Sequence, residues 1–151
     1  MDALQDLNRD GISLAGVDIS KAYLPELNLE DAELGHVDLT RADLTNAILS
    51  GADLAGANLF NTELDGANLA GAVLTDANLA GVYLRGANIM NIEDWRRIKS
   101  IEYANIYGVK NAPQGFEDWA TLPEQGALRI ENYETWIERK PQKMQDAKSG
   151  K

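Results

Sequence analysis

The chain has no cysteine and only one histidine, His36, among its 151 residues. Without cysteine there is no disulfide framework, no Cys-ligated zinc and no thiol nucleophile. With one histidine, a Ser-His machine could only be built on His36. Basic residues are scarce too: 14 Lys+Arg stand against 24 Asp+Glu, a formal charge of −10. Nucleic-acid and anionic-membrane binders need a cationic surface, so neither partner is expected. No apolar run approaches the ~20 residues that span a bilayer. The start, Met1-Asp2-Ala3-Leu4-Gln5-Asp6, is not a basic stretch followed by an apolar one, which points to a cytoplasmic protein. The length suits one domain.

What is present is a period of five. An aliphatic residue recurs without a gap at Leu14, Ile19, Leu24, Leu29, Leu34, Leu39, Leu44, Leu49, Leu54, Leu59, Leu64, Leu69, Leu74, Leu79, Leu84 and Ile89, sixteen repeats over residues 12–91. Two residues earlier Ala stands in 10 of 16, the others being Ile12, Val17, Leu27, Val37, Thr62 and Val82. Between the two, Asp or Asn stands in 9 of 16; two residues after the aliphatic, Gly, Asn or Asp stands in 12 of 16.

This period excludes an α-helix, where steps of five rotate by roughly 140° and scatter the leucines around the cylinder. It also excludes one long strand, because five is odd and successive leucines would alternate faces. A short extended piece followed by a turn fits. Ala and Leu, two apart, then share the inner side, and Gly, Asn and Asp supply the turn. Repeated turning makes an all-β solenoid whose interior is expected to receive both inner positions of every repeat. The sixteen aliphatics are its core, each contributing ~1.5–3 kcal/mol against the entropy of ordering.

The sequence resembles the pentapeptide-repeat family, whose motif is A(D/N)LXX. Ala42-Asp43-Leu44-Thr45-Asn46, Ala52-Asp53-Leu54-Ala55-Gly56, Ala57-Asn58-Leu59 and Ala67-Asn68-Leu69-Ala70-Gly71 match it directly. The likeness implies a right-handed quadrilateral β-helix with four repeats per coil, here about four coils and ~19 Å long. Cyanobacterial members are the most similar, partly through Asn111–Ala120. The departures are mild: no repeat centres on Phe, and Thr62 brings a hydroxyl expected to bond a neighbouring carbonyl.

The open ends of a solenoid need covers. Residues 1–11 read as an N-terminal cap, a short helix begun by Asp2, carrying Leu4 and Leu7, and closed by Gly11. Residues 92–140 read as an α-helical, aromatic C-terminal cap. There Asn91 and Asp94 resemble a capping box that opens a helix with Ile92, Trp95 and Ile98 on one face. Ala104–Gly108 is one more repeat, out of register by two. A short helix after Pro113 carries Phe116 and Trp119, residues 127–130 are extended, and Asn132 caps a helix with Tyr133, Trp136 and Ile137. Residues 141–151 read as a disordered tail.

Candidate chemistry is thin. His36 falls in a turn column with Gly16, Gly56 and Asp76 and has no base partner or second ligand. Asp6, Asn8 and Asp10 match half a calcium loop, but the twelfth position is Val17 instead of the bidentate Glu. No metal, cofactor or catalytic residue is therefore assigned, and the chain is not expected to be an enzyme; a metal-binding protein or enzyme using this N-terminal Asp cluster is the remotest alternative. Asp18 and Asp38 stack on one face. Another face carries Asp43 and Glu63, with Tyr23 and Tyr83 at its ends. The repeats hold 11 acids and 3 bases, against roughly 11 charges on duplex DNA of that length. Some members of the family bind DNA gyrase as DNA mimics, so the resemblance implies that role as an alternative. The main reading is a protein-interaction scaffold of unknown pathway. Its candidate surface is Asp18, Asp38, Asp43 and Glu63 with Trp95, Trp119 and Trp136, and its state is a monomer or a homodimer through the C-terminal module.

Overall fold

The computed structural model describes residues 2–145. One repeat explains the rest. In Ala52-Asp53-Leu54 the chain is extended, and it then turns so that the Ala57 N–H donates to the Leu54 carbonyl at 3.0 Å. The third residue of that turn, Gly56, has φ +67°. Every repeat places a left-handed residue there. Where it is not glycine, from Lys21 to Asn91, φ lies between 54° and 60°. Asn, Asp and Gly tolerate this region, which accounts for their frequency at the position. The residue between Ala and Leu has a backbone task as well. The Asp53 carboxylate accepts the Ala55 N–H at 2.9 Å, and the Asp43 carboxylate accepts the Thr45 N–H at 2.9 Å. These are Asx turns.

Four such turns bring the chain back to the same wall. Asp18, Asp38, Asn58 and Asn78 bridge in parallel, each twenty residues after the last, and so do Tyr23, Asp43, Glu63 and Tyr83. Each wall is three residues wide, and its middle residue bonds downward while the next bonds upward. The Asn58 N–H donates to the Val37 carbonyl and the Leu59 N–H to the Asn78 carbonyl, both at 2.9 Å. The result is a four-walled column filled by the inner residues. Of the sixteen repeating aliphatics all are buried except Ile19, which is half-buried. Ile12 and Val17 differ from the expected interior placement: they are 52% and 37% exposed, because no coil lies beneath the first. Thr62 is fully buried and donates from its hydroxyl to the Leu39 carbonyl at 2.8 Å.

The N-terminal helix α1, Asp2–Arg9, ends where the Gly11 N–H bonds the Asn8 carbonyl and the Ile12 N–H bonds the Leu7 carbonyl. That pair is a Schellman closure, with Gly11 at φ +71°. Leu4 packs against the core.

At the other end the column continues past residue 91. The expected helix from Asn91 is absent. Asn91 is one more corner, Asp94 is left-handed and caps nothing with its side chain, and only a 3-10 turn, Trp95–Arg97, follows. Ile92 lies twenty residues after Ala72 and goes inside like it, as do Trp95 and Ile98. Two extra residues loop out here. Pairing resumes 22 residues on, at Asn78 with Ser100, Tyr83 with Asn105 and Asn88 with Lys110. Three walls of a further coil thus stand where a helical cap was expected. Asn105 then pairs with Leu128. Its buried amide donates to the Ile130 carbonyl at 2.7 Å and accepts the Ile130 N–H at 3.2 Å, acting as one more rung.

Two helices follow the ladder: α2, Phe116–Ala120, and α3, Tyr133–Arg139. The Asn132 side chain caps α3 by accepting the Thr135 N–H at 2.9 Å. The expected disordered tail differs in its first residues. Gln142–Gln145 forms a further turn of helix, α4, with Met144 buried. Residues 146–151 lie outside the described residues.

Leu54→Ala, at the closed centre of the column, is expected to cost about 3–5 kcal/mol in a denaturant melt. Ile19→Ala, at the half-buried lower edge, is expected to cost less than half of that.

Candidate functional site

The half calcium loop is not assembled as a site. Asp6 and Arg9 form an ion pair at 2.9 Å on α1, and the Asn8 amide donates to the Glu30 carbonyl at 3.0 Å. Among the described residues no group of His, Asp and Glu is placed to hold a metal ion. His36 is an exposed corner residue at φ 56°, and its ring lies where a Cβ on Gly56 would stand.

The outward acids are partly engaged. Asp18 accepts the Ser20 N–H and Asp38 the Thr40 N–H, both at 2.9 Å. The Ser20 bonds, backbone first, hold the Asp18 carboxyl below its usual range. Above Asp18 and Asp38 the wall is neutral, with the Asn78 amide donating to the Asn58 side chain at 3.1 Å. The acids therefore form a two-level patch and not a full-length stripe.

The tryptophans separate into two groups. Trp95, Phe116 and Trp119 gather with ring centroids 5.2–6.0 Å apart, and Phe116 and Ala120 join the core. Trp119 is half-buried. Trp136 does not cover the last coil. It lies on the flank, 1% exposed, stacked on Tyr83 at 4.8 Å, and its indole N–H donates to the Tyr103 carbonyl at 2.9 Å. Tyr133 meets the Tyr83 ring edge-on at 5.0 Å, and its hydroxyl donates to the Glu63 carboxylate at 2.9 Å.

Residues 132–145 form an arm along this flank; Lys140 completes it, and the sequence reading missed it. The residue is buried, with its ammonium 4.1 Å from the centre of the Trp136 ring and donating to the Gly81 carbonyl at 3.1 Å. Its signal was present: Tyr133, Trp136 and Lys140 lie at i, i+3 and i+7, one side of a helix. The Asn61 amide then donates to the Met144 carbonyl at 3.1 Å, so residues 140–144 run down the corner from Gly81 to Asn61. The arm buries groups that would otherwise be solvated. Burial raises the Tyr83 phenol above its usual pKa. Burial also pushes the Lys140 ammonium down to about 8, while the nearby Glu63 carboxylate pulls it upward.

The pentapeptide-repeat family matches residues 12–51 and 52–89 in eight copies. The chain belongs to that family. With it comes the right-handed quadrilateral β-helix to which the four walls correspond. Among solved structures the pentapeptide-repeat protein alr5209 of Nostoc PCC 7120 is 31% identical over 60% of this chain and 75% of its own, with a TM-score of 0.57. HetL, also from Nostoc and involved in heterocyst differentiation regulation, is 23% identical over 72% of this chain and 50% of its own, at 0.41. QnrB1, a plasmid-mediated fluoroquinolone resistance protein, is 21% identical over 81% of this chain and 64% of its own, at 0.48. No curated protein matches the chain in sequence. Among the described residues no helix is long and apolar enough to cross a membrane.

In this pentapeptide-repeat protein the arm carries a pH dependence of definite sign. A free lysine titrates near ~10.4. Below about pH 8 Lys140 is charged whether the arm is docked or not, and its desolvation opposes docking in full. Above that the undocked arm binds more protons, so docking strengthens as pH rises towards ~10.4. Tryptophan-fluorescence melts at about pH 7 and about pH 9.5 are expected to show this gain in the native chain. Lys140→Met is expected to remove it.

Proposed function

We propose that the protein is a non-enzymatic scaffold that presents fixed side chains to a partner protein. One observation carries the reading: the polar residues of the repeat serve the frame. Asp and Asn close Asx turns, Asn78 and Asn88 stitch coils, and Thr62 bonds a carbonyl. The remaining outward positions sit on a rigid column at known spacing, suited to recognition. With Trp136 spent on its own flank, a monomer is the state this reading supports. Residues 1–11 and 92–140 act as the two covers of the four-coil column, the second beginning with a partial fifth coil. The net charge of −10 speaks for a protein partner over a nucleic acid or an anionic membrane, in the cytoplasm.

The test is capture from the source cells with a tagged chain, followed by reconstitution with the purified partner. A partner bound in reconstitution supports the scaffold, and turnover of a small molecule by the chain alone overturns it. A gyrase supercoiling assay tests the DNA-mimic alternative. No inhibition at low micromolar protein is expected, since the outward acids are spread over several walls and occupy only two levels of each. Inhibition relieved by Asp18→Asn with Asp38→Asn would instead favour mimicry.

The cover reading gives a separate expectation. A chain ending at Asn91 exposes the upper edge around Leu79, Leu84 and Ile89, each coil being a template for the next. It is expected to form filaments or aggregates in light scattering, while a chain ending at Gln145 stays monodisperse. A monodisperse, equally heat-stable chain ending at Asn91 would refute it.

A further inference from the structure

The wall that carries the arm reads Tyr23, Asp43, Glu63, Tyr83 from the first coil upward. Its upper half, Glu63 and Tyr83, is covered by Tyr133 and Trp136. Its lower half repeats the same pair of chemistries in reverse order and is open. Tyr23 is 73% exposed, more than any other large apolar residue described. The corner beside the wall changes along its length. Lys140 and Met144 approach it where it is neutral, at Gly81 and Asn61, whereas below it carries Lys21 and Arg41. Among the described residues no carboxylate lies within 4 Å of either cation, although the Lys21 charge reaches the Asp18 carboxylate on the neighbouring wall. The Arg41 Nε–H is shielded from water and has no acceptor among the described residues.

We propose that Tyr23, Asp43, Lys21 and Arg41 form a docking surface for one short helix of a partner protein. That helix carries an aromatic residue onto Tyr23 and a carboxylate to Lys21 and Arg41. The proposal rests on the scaffold reading and names the place and chemistry of its contact. The height of the site, its neighbour and its charge define the occupant. Two coils stand ~10 Å tall, the width of one helix. The site continues the packing of α3, so the occupant lies beside α3 and shares its aromatic chemistry. The cationic corner selects a carboxylate where the arm itself brings an ammonium. A second copy fits poorly, because the aromatic side of its own α3 is already buried against its Tyr83. The six residues after Gln145 hold one acid and two lysines, the wrong net sign for that corner.

The probe is a helix-stapled peptide of residues 132–144 with Lys140→Glu, compared with the unmodified peptide in an NMR titration of the full chain. The protein's charge of −10 favours the unmodified peptide at long range. Tighter binding of the exchanged one therefore reports the local corner. It is expected to bind about tenfold more tightly, as two exposed ion pairs would give, with saturable shifts at residues 21–23 and 41–43. Lys21→Glu with Arg41→Glu is expected to reverse the preference, and Tyr23→Ala, at an exposed site, to abolish binding. Equal binding of both peptides, no saturation at millimolar peptide, or shifts confined to residues 61–83 would overturn the assignment. A captured partner that docks on another wall would overturn it as well while leaving the scaffold reading standing.

Discussion

Every fifth residue from Gly16 to Asn91 turns the chain with a positive φ, and the four walls exist only because those turns repeat in register. A left-handed residue costs most L side chains ~1–2 kcal/mol, so the corner is the expensive element of the repeat. Glycine avoids the cost, and Asn and Asp reduce it. Lys21, Glu26, His36 and Arg41 meet it in full, all in the first two coils. The ladder on both sides of each corner holds them there. The corner constraint also dictates what lies inside. Only two residues per repeat point inward, one of them usually Ala, and the column is therefore narrow, dry and filled by leucine.

A narrow column has little interior to spare at its ends, and the two ends are treated differently. At the top the register slips by two residues, Trp95 enters the core, and α2 brings Phe116 and Ala120 over it. The arm then returns down the flank and buries Lys140, which would be costly alone. Its ammonium has the Gly81 carbonyl, the Trp136 face and the Glu63 carboxylate nearby, and these offset only part of the lost hydration. A buried charge held this way contributes little net stability but fixes one docking geometry, since a shifted arm would leave the ammonium without partners.

The column was legible because its signal is local and repeated sixteen times. The corner residues, the inner pairs and the Asx position each follow from one repeat. The stretch 91–98 misled because Ile92, Trp95 and Ile98 have the spacing of a helix face. The same residues satisfy a different demand, that Ile92 fall twenty after Ala72 and enter the core. Period five outranked period 3.6 there, and nothing within eight residues reveals it. The arm was only half legible. Asn132 announced the start of α3, and its aromatic side could be drawn. That this side lies on Glu63 and Tyr83 depends on contacts 70 and 53 residues apart in sequence, beyond any local pattern.

The choice between Asp and Asn follows from none of these demands. Both close the Asx turn, as Asp53 does with Ala55 at 2.9 Å and Asn78 with Ala80 at 3.1 Å. Yet the aspartates at this position, Asp18, Asp38, Asp43 and Asp53, all precede residue 54, and the asparagines, apart from Asn28, follow it. Asparagine adds a bond that aspartate cannot, amide to carbonyl between coils, as in Asn88 to Asn68 at 3.0 Å. The upper coils, where the register slips, receive that stitching. The lower coils receive charge instead, and they border the edge where Ile12 and Val17 are exposed. There the Asp18 and Tyr23 N–H groups have no partner among the described residues. An edge of that kind is a template for another chain, and like charges beside it oppose the pairing of two copies. The upper end is thus closed by packing, while the lower end is covered only in part by α1 and guarded by repulsion, which leaves its walls open to a partner that supplies the right charges.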